Sequence, residues 1–358
     1  MIITAKIIST MFKKIIIVFN SLDIGGIERK IVDLSRYYST QNNIEIDILL
    51  KRYQGQLIKY VPNSVKIHYP QHSQFFPFWL IKMLFFLKPN LILSFGNYCA
   101  VLSIIAKYIT FSKYNIIISE DSSITTQIET DKFPIIRKLF VKICYPYATS
   151  IITLTETGKN KLINLVPKTK NIITILPNWL PLTIKKTNIN YKKNIDILFL
   201  GRLVPQKNPL LFLKFCKKLQ NLNITMIGSG ILEPTIRNYI KKYKLNIKLL
   251  PATINPSIYY QKSKILLITS THEGFPLTIL ESFANNCLPI IPNLSEIIDF
   301  FDYQPKNIIY THNPINKIKF LLNNPKIMSQ INKKYYNKVT SQQSSNFTST
   351  TNFLKQYI

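Results

Sequence analysis

The sequence predicts an α/β protein made of two doubly wound parallel sheets. Three observations carry that expectation. Short apolar runs rich in Ile, Leu and Val recur along the chain, at 14–19, 44–50, 91–94, 116–119, 151–154 and 172–176, and again at 195–200, 224–227, 247–250 and 265–268. Runs of this length and composition read as strands buried on both faces. Between many of them lie longer segments with apolar residues at helical spacing, so successive strands are joined by crossovers and run parallel. The third observation is a polar, basic stretch at 181–193 with little periodicity, which divides 358 residues into two halves, each long enough for its own core. The expected domains are 1–182, 183–342 and a terminal segment, 343–358, returning to the first domain.

Composition narrows the function classes. With 46% hydrophobic and 18% charged residues the chain is globular rather than disordered. Its net charge of +29 comes from Lys residues scattered through the sequence, so no basic arm for nucleic acid stands out. The abundance of Ile, Lys and Asn fits codon bias together with attraction to an anionic membrane. Cys99, Cys144, Cys216 and Cys287 are far apart and make no C-x-x-C pair, which argues for a reducing compartment and against zinc or a disulfide framework. His68 and His72 have Pro70 between them and no Glu after His68, so a helical metal motif is excluded. No D-x-D pair offers a carboxylate clamp for a divalent ion. No signal peptide or membrane span is expected: the apolar run at 15–19 is short, and 89–106 is broken by Asn90, Gly96 and Asn97. Either Met1 or Met11 can serve as the start.

In chain order, the strand at 14–19 opens into a loop holding Gly25-Gly26 and then a helix at 28–38, an arrangement that either cradles phosphate or simply needs a tight turn. The strand at 44–50 follows. Helix 79–87 is stopped by Pro89, strand 91–94 ends at Phe95-Gly96-Asn97, and helix 99–108 comes next. Strand 116–119 ends at Glu120-Asp121. Ligands bind at the carboxyl ends of such strands, so these acids are placed for function, although Asp121 can equally cap a helix. Strands 151–154 and 172–176 complete the half.

The second half opens on strand 195–200, then Gly201-Arg202, Lys207 and a helix at 210–219. Strand 224–227 leads to Gly228-Ser229-Gly230, where Glu233 replaces the third glycine of a dinucleotide loop. Strand 247–250 leads to Pro251-Ala252-Thr253-Ile254. Strand 265–268 leads to Ser270-Thr271-His272-Glu273-Gly274-Phe275-Pro276-Leu277-Thr278-Ile279-Leu280-Glu281 and a helix at 277–284. Pro276 suits a first helical turn. Glu273 then sits beside the positive end of a helix and Glu281 about two turns into it. N–H groups from Phe275 to Thr278 suit phosphate, and the carboxylates suit sugar hydroxyls.

The run from Glu273 to Glu281 resembles the E-x7-E signature of the retaining glycosyltransferases of family 4, of the kind that builds bacterial cell-surface polysaccharide and lipopolysaccharide. These have the GT-B fold, two Rossmann-like domains facing a central cleft. Gly201-Arg202 with Lys207 resembles the family's G-R-x-x-x-x-K, and Leu176-Pro177-Asn178 its I-P-N at the domain junction. The resemblance implies that Glu273 contacts the transferred sugar, that Glu281 holds the ribose, and that Arg202 and Lys207 grip the diphosphate. It places Gly26, Gly228, Ser229, Ala252, Thr253, Ile254, Gly274, Phe275, Pro276, Leu277 and Thr278 around the donor, and Glu120 and Asp121 on the acceptor side. Many relatives carry His where Glu120 stands, and a Gly usual near Ala252 is missing, which marks a divergent member.

The implied activity is metal-independent, cofactor-free transfer from a UDP- or GDP-sugar to a hydroxyl on a glycan or lipid-linked acceptor. The implied location is the cytoplasm, with attachment to the cytoplasmic face of the inner membrane. A nucleotide-sugar epimerase and a non-catalytic binding subunit are the alternatives. The segment 75–88 is aromatic with Lys as its only charge, so it reads either as a core helix or as a membrane-docking one, with Phe76 and Trp79 as the residues to test.

Overall fold

The computed structural model describes residues 13–129, 131–181, 191–301 and 305–358. The predicted junction at 181–193 lies mostly outside the described residues, as does Met11. The first sheet has seven strands: β1 (Lys13–Phe19), β2 (Ile44–Leu50), β3 (Lys66–His68), β4 (Leu91–Phe95), β5 (Asn115–Glu120), β6 (Ser150–Thr153) and β7 (Ile173–Ile175). The second has six: β8 (Ile195–Leu200), β9 (Ile224–Ile227), β10 (Ile247–Leu250), β11 (Ser263–Leu267), β12 (Leu288–Pro292) and β13 (Ile309–Tyr310). The orders are β3-β2-β1-β4-β5-β6-β7 and β10-β9-β8-β11-β12-β13, with every pairing parallel. Each order reverses at its first strand, β1 or β8, which is the switch point where open α/β sheets bind ligands.

Alternation along the strands splits the first domain's core. Ile16, Val18, Ile92 and Ile116 face one layer of helices, and Ile15, Ile17, Leu93 and Ile117 face the other. The second domain packs as one cluster through Ile197, Phe212, Met226, Ile265, Phe283 and Ile290. All four Cys are buried thiols. The segment 89–106 resolves into β4 and the helix Asn97–Ile109, and among the described residues no helix is long and apolar enough to cross a membrane.

Three strands escaped the sequence reading. β3 is a three-residue edge strand without a β-rich pattern. β12 contains Pro289 and Pro292, residues that argue against a strand with neighbours on both sides, yet it pairs with both β11 and β13. β13 is two residues long. The C-terminal helix is a single 31-residue element, Pro325–Lys355, so the predicted division at 342/343 falls inside it. Its start packs on the second domain through Ile331, Tyr335 and Val339, and its end on the first through Phe347 and Leu354. Tyr38 Oη donates to Thr351 O at 3.1 Å and Asn115 Nδ2 to Tyr357 O at 2.8 Å, which fastens the end of the chain to the first domain.

Candidate functional site

A cavity of about 920 Å³ lies between the two sheets. It collects the loops that follow β1, β5, β8, β9, β10 and β11, all at carboxyl strand ends. Gly26, Asp121, Arg202, Lys207, Gly228, Ser229, Ala252, Thr253, Glu273, Gly274, Phe275, Pro276, Leu277, Thr278 and Glu281 all line it. Two predicted residues do not. The Ile254 side chain packs against the first domain's core, and Glu120 turns away into a separate cavity of about 20 Å³.

The strand-end loops are tied tightly. After β8, Pro205–Lys207 forms a short 3-10 turn and Asn208 takes a left-handed conformation at φ 46°, capping the helix Pro209–Cys216 through its side chain. Asn tolerates that region better than most residues. Thr269 Oγ1 donates to Lys207 O at 2.9 Å, and Thr271 N to Gln206 O at 2.9 Å, so the loops after β8 and β11 are tied to each other. Lys207 Nζ is then 2.5 Å from Glu273 Oε1, and Ser270 Oγ donates to the same oxygen at 2.6 Å. Arg202 enters the cavity with only a long contact, 3.5 Å, to Gln206 Oε1. Among the described residues, neither Arg202 nor Arg52, which also lines the cavity, is ion-paired. Gly228 lets the loop after β9 cross beneath Gly201, because a Cβ there would lie 1.9 Å from Gly201 O.

The helix carrying Glu281 begins at Leu277, with Pro276 as its N-cap at ψ 124°, so the proline precedes the first turn instead of forming it. At Gly274 the two domains touch closely: a Cβ there would lie 2.1 Å from Asp121 O. Asn178 Nδ2 donates to Phe275 O at 2.9 Å across the same junction. Further in, Arg29 from the first domain reaches Glu281, with Nη1 donating to Oε1 at 3.1 Å and Nη2 to Ile254 O at 3.0 Å. Tyr260 Oη donates to Glu281 Oε2 at 3.0 Å. Burial pushes the Glu281 carboxyl above its ordinary range, and Arg29 and Tyr260 pull it back. A carboxylate has about four acceptor positions, so two remain for hydroxyl donors.

The acids after β5 have different fates. Asp121 pairs with the Lys30 ammonium and accepts from Ser119 Oγ, while still lining the cavity. Glu120 is buried and accepts from Tyr145 Oη, with its second oxygen unpartnered. Burial pushes its carboxyl up to about 8, against the pull of Tyr145. Glu120, expected on the acceptor side, is thus turned out of the large cavity and into the small one behind it. Glu28 was missed. It stands in the first turn of the helix Gly26–Ser39 and lines the cavity, and burial raises its carboxyl to about 7 despite its own backbone N–H and Arg202. Arg29, Lys30 and Arg52 were missed as well. The one available signal was their position just after a strand-end loop, which 46 basic residues drown out.

His272, on which an epimerase reading would have to call, does not line the cavity. Among the described residues no group of three or more His, Cys, Asp and Glu is arranged to hold a metal.

Residues 182–338 match the family model described as glycosyl transferases group 1. A Campylobacter jejuni enzyme named as a GalNAc-alpha-(1->4)-GalNAc-alpha-(1->3)-diNAcBac-PP-undecaprenol alpha-1,4-N-acetyl-D-galactosaminyltransferase is 26% identical over 286 residues, 75% of this chain and 76% of that one. The amylovoran biosynthesis glycosyltransferase AmsD of Erwinia amylovora is 27% identical over 295 residues, 78% of this chain and 80% of its own. Anabaena HepE, solved in complex with UDP and glucose, superposes with a TM-score of 0.79 over 96% of this chain and all of its own, at 12% identity. The fold is GT-B, and these similarities support a glycosyltransferase acting on a nucleotide-sugar.

Proposed function

We propose that this chain is a retaining, metal-independent glycosyltransferase of family 4 that moves a sugar from a UDP- or GDP-sugar to a hydroxyl of a glycan or lipid-linked acceptor at the cytoplasmic face of a membrane. One observation carries the proposal. Lys207 and Glu273, 66 residues apart, meet at adjacent strand ends with Arg202 beside them and the helix beginning at Leu277 opposite. That is what departure of a nucleoside diphosphate requires.

In the proposed reaction the bond from the anomeric carbon to the diphosphate oxygen breaks, and negative charge grows on the diphosphate. Arg202 meets it with a planar fork and Lys207 with a point charge released from Glu273. N–H groups at the start of the helix add preorganised donors. Glu273, freed of Lys207 and still held by Ser270, accepts from hydroxyls of the sugar. The acceptor oxygen forms its new bond on the face the diphosphate leaves, and its proton passes to the departing phosphate oxygen. Glu281 holds the ribose through the acceptor positions that Arg29 and Tyr260 leave open.

The acceptor class is supported by the Campylobacter jejuni relative, whose name gives a PP-undecaprenol substrate. The test incubates the protein with a panel of nucleotide-sugars and reads released UDP or GDP, with and without EDTA, followed by the anomeric configuration of the product. Release of a nucleoside diphosphate that survives EDTA, with an α-linked product from an α-linked donor, is expected. Loss of activity in EDTA restored by manganese overturns the metal-free mechanism, and an inverted product overturns retention.

A further inference from the structure

The helices Phe76–Leu87, Asn97–Ile109 and Pro134–Cys144 lie side by side on one face of the first sheet, packed on it through Phe76, Leu80, Ile104 and Val141. Their outer surface is unlike the rest of the molecule. Of the 18 large hydrophobic side chains exposed among the described residues, the 14 between 75 and 147 belong to this layer and the loops at its ends, and two, Ile231 and Phe320, belong to the second domain. The helix Pro134–Cys144 shows the pattern most sharply. Ile135, Ile136, Leu139, Phe140 and Ile143 are all exposed, Ile135 at 82%, while only Val141 and Cys144 are buried. Spacings of one, four, five and eight put those five on one stripe, turned away from the core.

Charge on the outer surface of this layer is basic, and the acid just before its third helix, Asp131, is taken up by Arg137 at 2.8 Å. Neither residues 48–119 nor residues 132–155 contain an Asp or Glu. Lys132, Lys138 and Lys142 flank the apolar stripe and are themselves exposed. A large apolar patch marks a binding face, and a rim of lysines whose nearest acid is already paired with Arg137 selects an anionic partner with an apolar interior. We infer that this three-helix layer docks on an anionic lipid bilayer, with the stripe of Pro134–Cys144 entering the headgroup boundary and its lysines meeting lipid phosphates. The contact moves the docking residues away from Phe76, which is fully buried, and Trp79, which packs on the core. Topology fixes the orientation. The segment from the carboxyl end of β5 to the amino end of β6 holds a short helix, Ile124–Glu129, and then this one, and Arg137 lies over the Tyr98 ring just past the carboxyl end of β4, so Ile135 and Ile136 lie at the end of the domain that opens on the cavity. Docking therefore holds the cavity's mouth beside the bilayer, whatever group the cavity transfers.

The test is sedimentation of the full chain with vesicles of phosphatidylcholine alone or mixed with phosphatidylglycerol. Binding to the mixed vesicles only, weakened by added salt, is expected. Leu139→Glu with Ile143→Glu should lower vesicle affinity by roughly tenfold or more, and Lys138→Gln with Lys142→Gln by a few-fold, because each removes one of the two contributions to interfacial binding. All four positions are exposed, so the thermal midpoint and nucleotide binding should match those of the unaltered protein. Equal binding of both variants and the unaltered chain overturns the inference. So does absence of vesicle binding together with a dimer that the Glu variants dissolve, since the layer would then be an interface between copies of this chain.

Discussion

Glu273 and Glu281 stand eight residues apart in sequence and are held by opposite halves of the molecule. Glu273 is fixed from within its own domain, by Lys207 and Ser270, on loops that Thr269 and Thr271 lock together. Glu281 is fixed across the cleft by Arg29, with Tyr260 behind it. The surroundings of Glu273 are thus complete within the second domain, whereas those of Glu281 are complete only when the domains are together. If the proposed roles hold, nucleotide binding is coupled to domain position through the Arg29–Glu281 bridge, and group transfer is a local matter of Lys207 and Glu273.

The largest effect expected from that contrast is on stability. Arg29→Met leaves the Glu281 carboxylate buried with one hydrogen bond, and loss of one partner from a buried ion pair costs about 3–5 kcal/mol. The thermal midpoint should drop clearly. Adding Glu281→Gln to Arg29→Met should restore much of it, since the uncompensated charge is gone. If the double variant is no more stable than Arg29→Met alone, the bridge is not what joins the domains there.

Catalysis should respond on the other side of the contrast. Lys207→Ala should cut turnover by on the order of a hundredfold, as for loss of one preorganised charge contact to the transition state, with a smaller loss of nucleotide affinity, since the charge on the diphosphate grows in the transition state. Glu273→Ala should behave alike in kind. Glu281→Gln should instead weaken nucleotide binding, by roughly tenfold, with a smaller effect on turnover, because the ribose contact is the same in ground and transition states. Titration with UDP and GDP beside steady-state kinetics separates the two patterns. Equal nucleotide affinity in the Glu281 variant and the unaltered protein would show that the ribose is held elsewhere.

Much of this arrangement was legible in the sequence, and the illegible part has a physical reason. Strand–loop–helix units announce themselves locally, so the loops after β1, β8, β9, β10 and β11 were placed by pattern, and the cavity gathers them. Partners that cross the cleft leave no local trace. Nothing around Arg29 in the sequence points to a carboxylate 252 residues away, and nothing at Gly274 announces the backbone of Asp121. Glu120 shows the converse. It sits at a functional strand end, but strand alternation and the Tyr145 hydroxyl, not proximity to the cleft, decide which way it points. The segment 75–88 was read as either core or surface and is both: Phe76, Leu80 and Leu84 are buried, and Phe78, Phe85 and Phe86 are exposed.

The smallest effect concerns Glu28, which lies between the two halves of the site. Its carboxyl shares the cavity with Arg202, and burial raises it from 4.5 to about 7. Below that value Glu28 is neutral and Arg202 is left for the donor's diphosphate. Above it the carboxylate both competes for Arg202 and repels the phosphates. Affinity for a nucleotide-sugar should therefore be highest on the acid side and fall as pH rises through about 7. The loss should be roughly threefold to tenfold, the scale of one partly screened charge pair. A nucleotide-sugar suits this measurement better than free UDP, since its esterified diphosphate has no group titrating in that window. Glu28→Gln should flatten the profile at the level of the high-affinity limb, which separates a charge effect from loss of packing at the Gly25-Gly26 loop. A Glu28→Gln profile that still falls through the same pH range would assign the titration to another group and leave Arg202 free of Glu28.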